Sequence, residues 1–171
     1  RKANLTQEGR LQALAEHENV VPVYQVVEDD QSDDVYLVMK HCAKGSLRDL
    51  SQKGPIPIQE GRGYLSDIAR GVALLHSRAM LHRDIKPSNI LIDSDGKALV
   101  ADFGLVTDQL MHGYANVGSH IYLNHLAKEI YEGEPTSVKT DVWALGMTAY
   151  RLLHGESWYK NLPPAKDLIR K

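Results

Sequence analysis

Cysteine is nearly absent: Cys42 is the single one in 171 residues. That excludes an internal disulfide framework and a cysteine-rich zinc module, and it fits a reducing compartment. Charge of one sign is missing too. The 20 basic and 22 acidic residues leave a net charge of −2, so no global positive field exists to hold nucleic acid. No apolar run approaches the roughly 20 residues that span a bilayer. There is no secretory leader pattern, no internal repeat and no low-complexity tract. These absences set three expectations: a cytoplasmic location, no nucleic-acid partner and no membrane contact within this segment. Methionine is also lacking at position 1; the chain opens at Arg1 on a helical pattern and reads as cut from something longer.

What is present is ordinary globular material, with 43% apolar and 25% charged residues and a length that suits one domain. Partial apolar periodicity predicts a helix over 5–16, weakened by Gly9. Residues 20–27 are dense in β-branched side chains and predict a strand, with Pro22 at an edge or bend. An acidic turn over 28–34 leads to a second strand over 35–39, so the two form a hairpin. Ser46 is the expected N-cap of a short helix over 46–50. A longer helix over 58–77 presents Leu65, Ile68, Ala69, Val72 and Leu75 as its buried face. Short strands are expected at 90–92 and 98–100, joined by a turn over 93–96. Residues 104–121 lack periodicity and read as a long loop, of the kind that is functional or mobile inside a compact domain. Residues 141–154 read as a core helix, apolar nearly all round, stopped by Gly155.

Two segments carry chemistry. One is His82-Arg83-Asp84-Ile85-Lys86-Pro87-Ser88-Asn89; the other, Asp102-Phe103-Gly104, starts 13 residues after Asn89. Asp84 and Lys86 sit two apart on irregular backbone, so both can face one reacting centre. A carboxylate accepts or orients a hydroxyl proton, and a lysine neutralises charge on a transferring phosphoryl group. Asn89 and Asp102 offer oxygen ligands of the kind magnesium takes together with phosphates. The hairpin between them brings both to one rim.

These residues resemble the catalytic loop and magnesium motif of the protein-kinase family. The resemblance extends over nearly the whole chain. Residues 35–39 are similar to the strand that enters the hinge between lobes, with Met39 at the gatekeeper position. Lys40, His41 and Cys42 fall in the hinge, whose backbone pairs with adenine in the family. His17-Glu18-Asn19-Val20-Val21 resembles the run after helix C, and counting back places Glu8 at the helix C glutamate. Leu47 and Leu91 resemble apolar residues that sandwich the adenine ring. Thr140-Asp141-Val142-Trp143-Ala144-Leu145-Gly146 is similar to the start of helix F, where Asp141 would hold the catalytic loop from below. His82 is expected as a packed imidazole beside Phe103 and Asp141. His112, His120 and His125 lack metal-type spacing and read as loop residues.

The resemblance implies an α+β, two-lobed, truncated kinase-like fold. Residues 1–41 would be the remnant of a β-rich N-lobe and 42–171 a partial, mostly helical C-lobe. It implies ATP and Mg²⁺ as cofactors and a protein substrate. Asp84, Lys86, Asn89 and Asp102 would form the catalytic set, with Asn89 and Asp102 on the metal. Met39, His41, Cys42, Leu91 and Glu8 would serve the nucleotide. Lys86, two after Asp84, resembles the serine/threonine type. Ser119 sits where the family places a hydroxyl that touches the catalytic aspartate and lysine. Arg83 would clamp a phosphate on the activation segment, where Thr107 and Tyr114 are the available hydroxyls.

The pattern also departs from the family. Ala127-Lys128-Glu129 stands in place of Ala-Pro-Glu, with about three extra residues after Tyr122, a variant that resembles some bacterial kinases. Gln12 takes a position where an apolar residue is expected. Lys40 and His41 replace acidic and aromatic hinge residues. No glycine-rich loop and no Val-Ala-Ile-Lys strand occur in these residues, and Glu129 lacks the arginine that pairs with it, which predicts a destabilised lower half. A pseudokinase or docking module is the alternative reading. A small-molecule phosphotransferase fits the 83–87 loop and the 141–146 segment less well.

Overall fold

The computed structural model describes residues 12, 15–29, 32, 34–103, 107–108, 125–155, 161 and 163. The helix expected over 5–16 lies outside these residues except at Gln12, Ala15 and Glu16. Glu8, Tyr114 and Ser119 lie outside them too.

The described residues build two unlike hairpins and a helical body. Strands β1 (Val23–Glu28) and β2 (Val35–Met39) pair antiparallel from Val23↔Met39 to Glu28↔Val35, with an irregularity between Val23 and Gln25. The acidic turn between them closes through Asp29 N–H on the Asp34 carbonyl, 3.0 Å, and through the Ser32 hydroxyl shared with both aspartates. The strand expected over 20–27 divides at Pro22. Val20 makes a parallel bridge to Val100 instead, and β1 starts only at Val23. Pro22 has no N–H to continue a ladder, so the chain changes sheets at that residue.

Helix α1 (Leu47–Ser51) begins after Ser46, whose hydroxyl accepts from Asp49 N–H while the Asp49 carboxylate accepts from Ser46 N–H at 2.8 Å. This reciprocal cap satisfies two otherwise orphaned donors. Helix α2 (Ile58–Ser77) has the expected bounds, but its face is rotated. Gly61, Tyr64, Ile68, Gly71, Val72 and Leu75 are buried, Leu65 is half-buried and Ala69 is exposed. Hydrophobic periodicity gives glycine no weight, yet Gly71 sits where a Cβ would fall 2.6 Å from the Asn19 carbonyl oxygen and 2.9 Å from Val100 Cγ2. Glycine there is what lets α2 touch the backbone of the segment above it.

Two short strands escape the periodicity, because two residues cannot show alternation. Strand β3 (Met80–Leu81) pairs with β6 (Thr107–Asp108), which places a backbone ladder inside the stretch expected as loop. Strands β4 (Ile90–Ile92) and β5 (Ala98–Val100) form the expected hairpin, with Gly96 in the left-handed region at φ +82°.

Helix α3 (Lys128–Glu132) ends on Gly133 at φ +67°. Helix α4 (Val138–His154) starts three residues earlier than expected, because Ser137 and Thr140 cap each other's ends. Nor is it buried all round. Val142 is 58% exposed, while the inward face mixes Thr140, Asp141, Thr148, Arg151 and Leu152. The main core gathers Leu47, Ile68, Leu75, Ile85, Ile90, Ile92, Val100, Phe103 and Leu152. A smaller cluster of Val21, Leu99 and Ala101 is flanked by Cys42 and Leu91. The fold class is α+β, and no helix among the described residues is long and apolar enough to cross a membrane.

Candidate active site

The loop from His82 to Asn89 runs from β3 into a 3-10 turn at Pro87–Asn89 and then directly into β4. It is held from beneath by one carboxylate. Asp141, at the start of α4, accepts from His82 N–H at 2.9 Å on Oδ2 and from Arg83 N–H at 2.8 Å on Oδ1. His76, at the end of α2, reaches Asp141 Oδ2 at 2.8 Å. Burial alone would raise the Asp141 carboxyl. The bond from His76 and the two backbone donors of His82 and Arg83 outweigh it and hold the group below the usual carboxylate range. Three elements therefore meet on one side chain; the family resemblance put Asp141 beneath the loop, whereas the His76 contact was not foreseen.

His82 is the second anchor. It is fully buried and meets Phe103 edge-on, with ring centroids 5.5 Å apart. Its Nδ1 accepts from Asp84 N–H at 3.2 Å, and its Nε2 faces the Ala101 carbonyl at 3.0 Å. That network requires the tautomer protonated on Nε2. One ring thereby ties Asp84 to the strand end just before Asp102. Arg83 and Asp102 both adopt left-handed backbone, at φ +66° and +62°, conformations that side chains avoid unless the surroundings impose them.

Asp84 is buried. Its Oδ2 accepts from Lys86 Nζ at 2.8 Å and from Asn89 Nδ2 at 2.8 Å, and Asn89 Nδ2 also reaches the Asp84 carbonyl at 2.9 Å. Both amide protons of Asn89 thus turn to Asp84, which leaves the amide oxygen, the atom a cation takes, unengaged by them. Ala101 N–H donates to the Asn89 carbonyl at 2.9 Å, so Asn89 and Asp102 leave the same end of the β4–β5 ladder. Asp102 is exposed. Among the described residues no group of three His, Cys, Asp or Glu side chains could hold a metal. A cation here would therefore rest on the Asn89–Asp102 oxygen pair and on phosphate oxygens, a donor set that suits magnesium.

Of the expected nucleotide residues, Cys42 and Leu91 share one apolar cluster with Val21 and Ala101, and burial pushes the Cys42 thiol up. Met39 and His41 are exposed beside them. Leu47 is fully buried in the main core and has no surface to offer a ring. Arg83 is half-buried; burial pulls its guanidinium below the ordinary value, and neighbouring Asp141 offsets this only in part. Thr107 is described only through its backbone pairing with Leu81.

Four further contacts were not foreseen. His125 is no loose loop residue: it is buried, with Nε2 2.5 Å from the Ile85 carbonyl, against the 82–89 loop. Glu129 has a partner, since the Thr140 hydroxyl donates to its Oε1 at 2.5 Å. Gln12 is buried and satisfied through the Val21 carbonyl at 2.8 Å. Lys40 forms a 2.8 Å ion pair with Asp93. No periodicity encodes such contacts; the only signal was that Gln12 and Lys40 departed from the family pattern.

A sequence profile described as the protein kinase domain matches residues 1–170. This chain belongs to the protein kinase family. The kinase is 33% identical over 174 residues to the serine/threonine-protein kinase TOS3 of Saccharomyces cerevisiae, covering 89% of this chain and 31% of that protein. It is 33% identical to the serine/threonine-protein kinase cst-1 of Caenorhabditis elegans, over 80% of this chain and 28% of that one. It is also 32% identical to the 3-phosphoinositide-dependent protein kinase 1 of Arabidopsis thaliana, over 85% and 32%. The chain spans about a third of the length of these curated relatives. The first two of these carry serine/threonine-protein kinase in their names, and the protein kinase family generally uses ATP and Mg²⁺.

Proposed function

We propose that the protein carrying this chain transfers the γ-phosphoryl group of ATP to serine or threonine hydroxyls of protein substrates. The observation that carries the reading is the Asp84 carboxylate, gripped by Lys86 and Asn89 on a loop that Asp141 and His82 fix from below. In the proposed step the substrate hydroxyl oxygen bonds to the γ-phosphorus as the bond to the leaving ADP oxygen breaks. The hydroxyl proton passes to Asp84. Such general-base assistance is worth roughly 10²–10⁴-fold. Lys86, already at hydrogen-bond distance from Asp84, offsets charge on the transferring oxygens; positioning supplies most of the remainder. Magnesium, when bound, neutralises phosphate charge, and Asn89 Oδ1 with the Asp102 carboxylate would hold it. The apolar wall of Cys42 and Leu91 accepts the base, with the backbone at 40–42 along its edge. Glu8, Arg83, Thr107 and Ser119 keep the nucleotide-binding and regulatory roles that the family resemblance implies. The boundary between the two lobes falls at 41/42.

The test is transfer by the full protein given ATP, magnesium and a generic protein substrate. Asp84→Asn abolishes transfer while nucleotide still binds. Undiminished transfer in that variant sinks the mechanism, and nucleotide binding with no transfer by the native protein points to the docking-module reading. These 171 residues by themselves contain no phosphate-covering glycine loop, so they are expected to bind ATP weakly and transfer slowly or not at all.

A further inference from the structure

Lys40 holds both sides of the segment that joins the β1–β2 hairpin to the helical body. Its backbone N–H donates to the Pro22 carbonyl at 3.0 Å, on the hairpin side. Its ammonium reaches Asp93 Oδ2 at 2.8 Å, in the β4–β5 turn on the other side. Asp93 is a prepared acceptor. Its side chain is 3% exposed, and its other oxygen takes Asp95 N–H at 3.0 Å and Lys97 N–H at 2.9 Å. With Oδ1 committed to the turn, Oδ2 is the atom left for Lys40. Four residues further on, the chain is tied again: Lys44 N–H meets the Ile92 carbonyl at 3.2 Å, and Ile92 N–H meets the Gly45 carbonyl at 2.8 Å. Only His41, Cys42 and Ala43 lie between the two ties. The β4–β5 hairpin that carries Asn89 and Asp102 at one end therefore grips, at its other end, both ends of the segment on which the nucleotide base would lie.

We propose that the Lys40–Asp93 pair is a positioning pair that sets the spacing between the backbone edge at 40–42 and the Leu91 wall, and so tunes affinity for the purine base of the nucleotide. The inference rests on the reading of this cleft as a nucleotide site. The pair touches neither the phosphates nor the reacting hydroxyl, so its loss weakens substrate and transition state alike. That raises KM and leaves kcat in place. The bond to Asp93 also holds the Lys40 ammonium above its ordinary pKa, so it is charged throughout the working pH range.

The experiment uses the full protein with Lys40→Met, Asp93→Asn, the double variant and Lys40→Arg. Two quantities are read: the dissociation constant of a fluorescent ATP analogue, and kcat with KM for ATP. Each single loss raises the dissociation constant and KM about three- to tenfold, as expected for one charge-assisted bond. The double variant is no worse than the poorer single, kcat stays within about twofold, and Lys40→Arg restores binding. An unchanged dissociation constant in Lys40→Met overturns the proposal, as do additive losses or a fall confined to kcat. If the native protein binds no nucleotide, both this proposal and the proposed function fall. If it binds but Asp84→Asn transfers normally, the mechanism falls and the positioning pair stands.

Discussion

Among the described residues, two antiparallel hairpins stand in opposite circumstance. In β1–β2 the strands are dense in valine and tyrosine, yet Tyr24 is 67% and Tyr36 55% exposed. In β4–β5 all but one of the strand residues are buried, and the ladder leads straight from the 82–89 loop to Asp102. A two-stranded hairpin alone is marginal in water. The first is held by its flanks, at Val20–Val21 and Lys40; the second is held by the core. Asn89 and Asp102, two residues of the proposed site, flank the second hairpin at one end.

The largest expected effect is a direct contrast between them. Ile92→Ala, in β4, should cost about 2–5 kcal/mol in urea unfolding of the full protein. Val38→Ala, on the exposed side of β2, should stay within about 0.5 kcal/mol. Equal losses would break the comparison. Gly71→Ala comes next. Its new methyl would press on the Asn19 carbonyl and Val100, at a cost of about 1–3 kcal/mol, and amide exchange should quicken in β5 before β1.

Acid gives a third test. The folded Asp93 and Asp141 carboxyls are both depressed: burial opposes this, but the lysine, histidine and backbone donors prevail. Each contributes stability that is full above the unfolded carboxyl value of about 4 and is lost as pH falls through the lower folded value. Asp141→Asn should flatten the acid limb of a stability–pH curve, and an unaltered limb in that variant would remove Asp141 from the account. The smallest effect has the opposite sign. Gly63 in α2 has open space around it, so Gly63→Ala should stabilise by about 0.5–1 kcal/mol, seen as a higher urea midpoint.

Strands β2, β4 and β5 and helix α2 were legible to the residue, whereas the β-branched run over 20–27 enters its hairpin only after Pro22. The 82–89 loop was legible for a different reason: irregular backbone that must place several side chains constrains residue identity. What stayed hidden was tertiary. Lys40 and Asp93 lie 53 residues apart, and His125 and Ile85 lie 40 apart; neither pair leaves a periodic trace. The rotated face of α2 was hidden because Gly61 and Gly71 are buried without being hydrophobic. Glu129 was expected to be unpaired because only a charged partner was sought, and a hydroxyl serves.

Pro22 has a consequence for how this chain tolerates change. Its carbonyl takes the last rung of the β1–β2 ladder, and its ring forbids another, so the ladder has a fixed terminus on the side of the site. A residue gained or lost in the acidic turn would reverse the two faces of β1, but the irregularity between Val23 and Gln25 lies just inside that terminus and can take up the slip. Length variation at the tip is therefore expected to end before it reaches Val20, leaving the 82–89 loop in place.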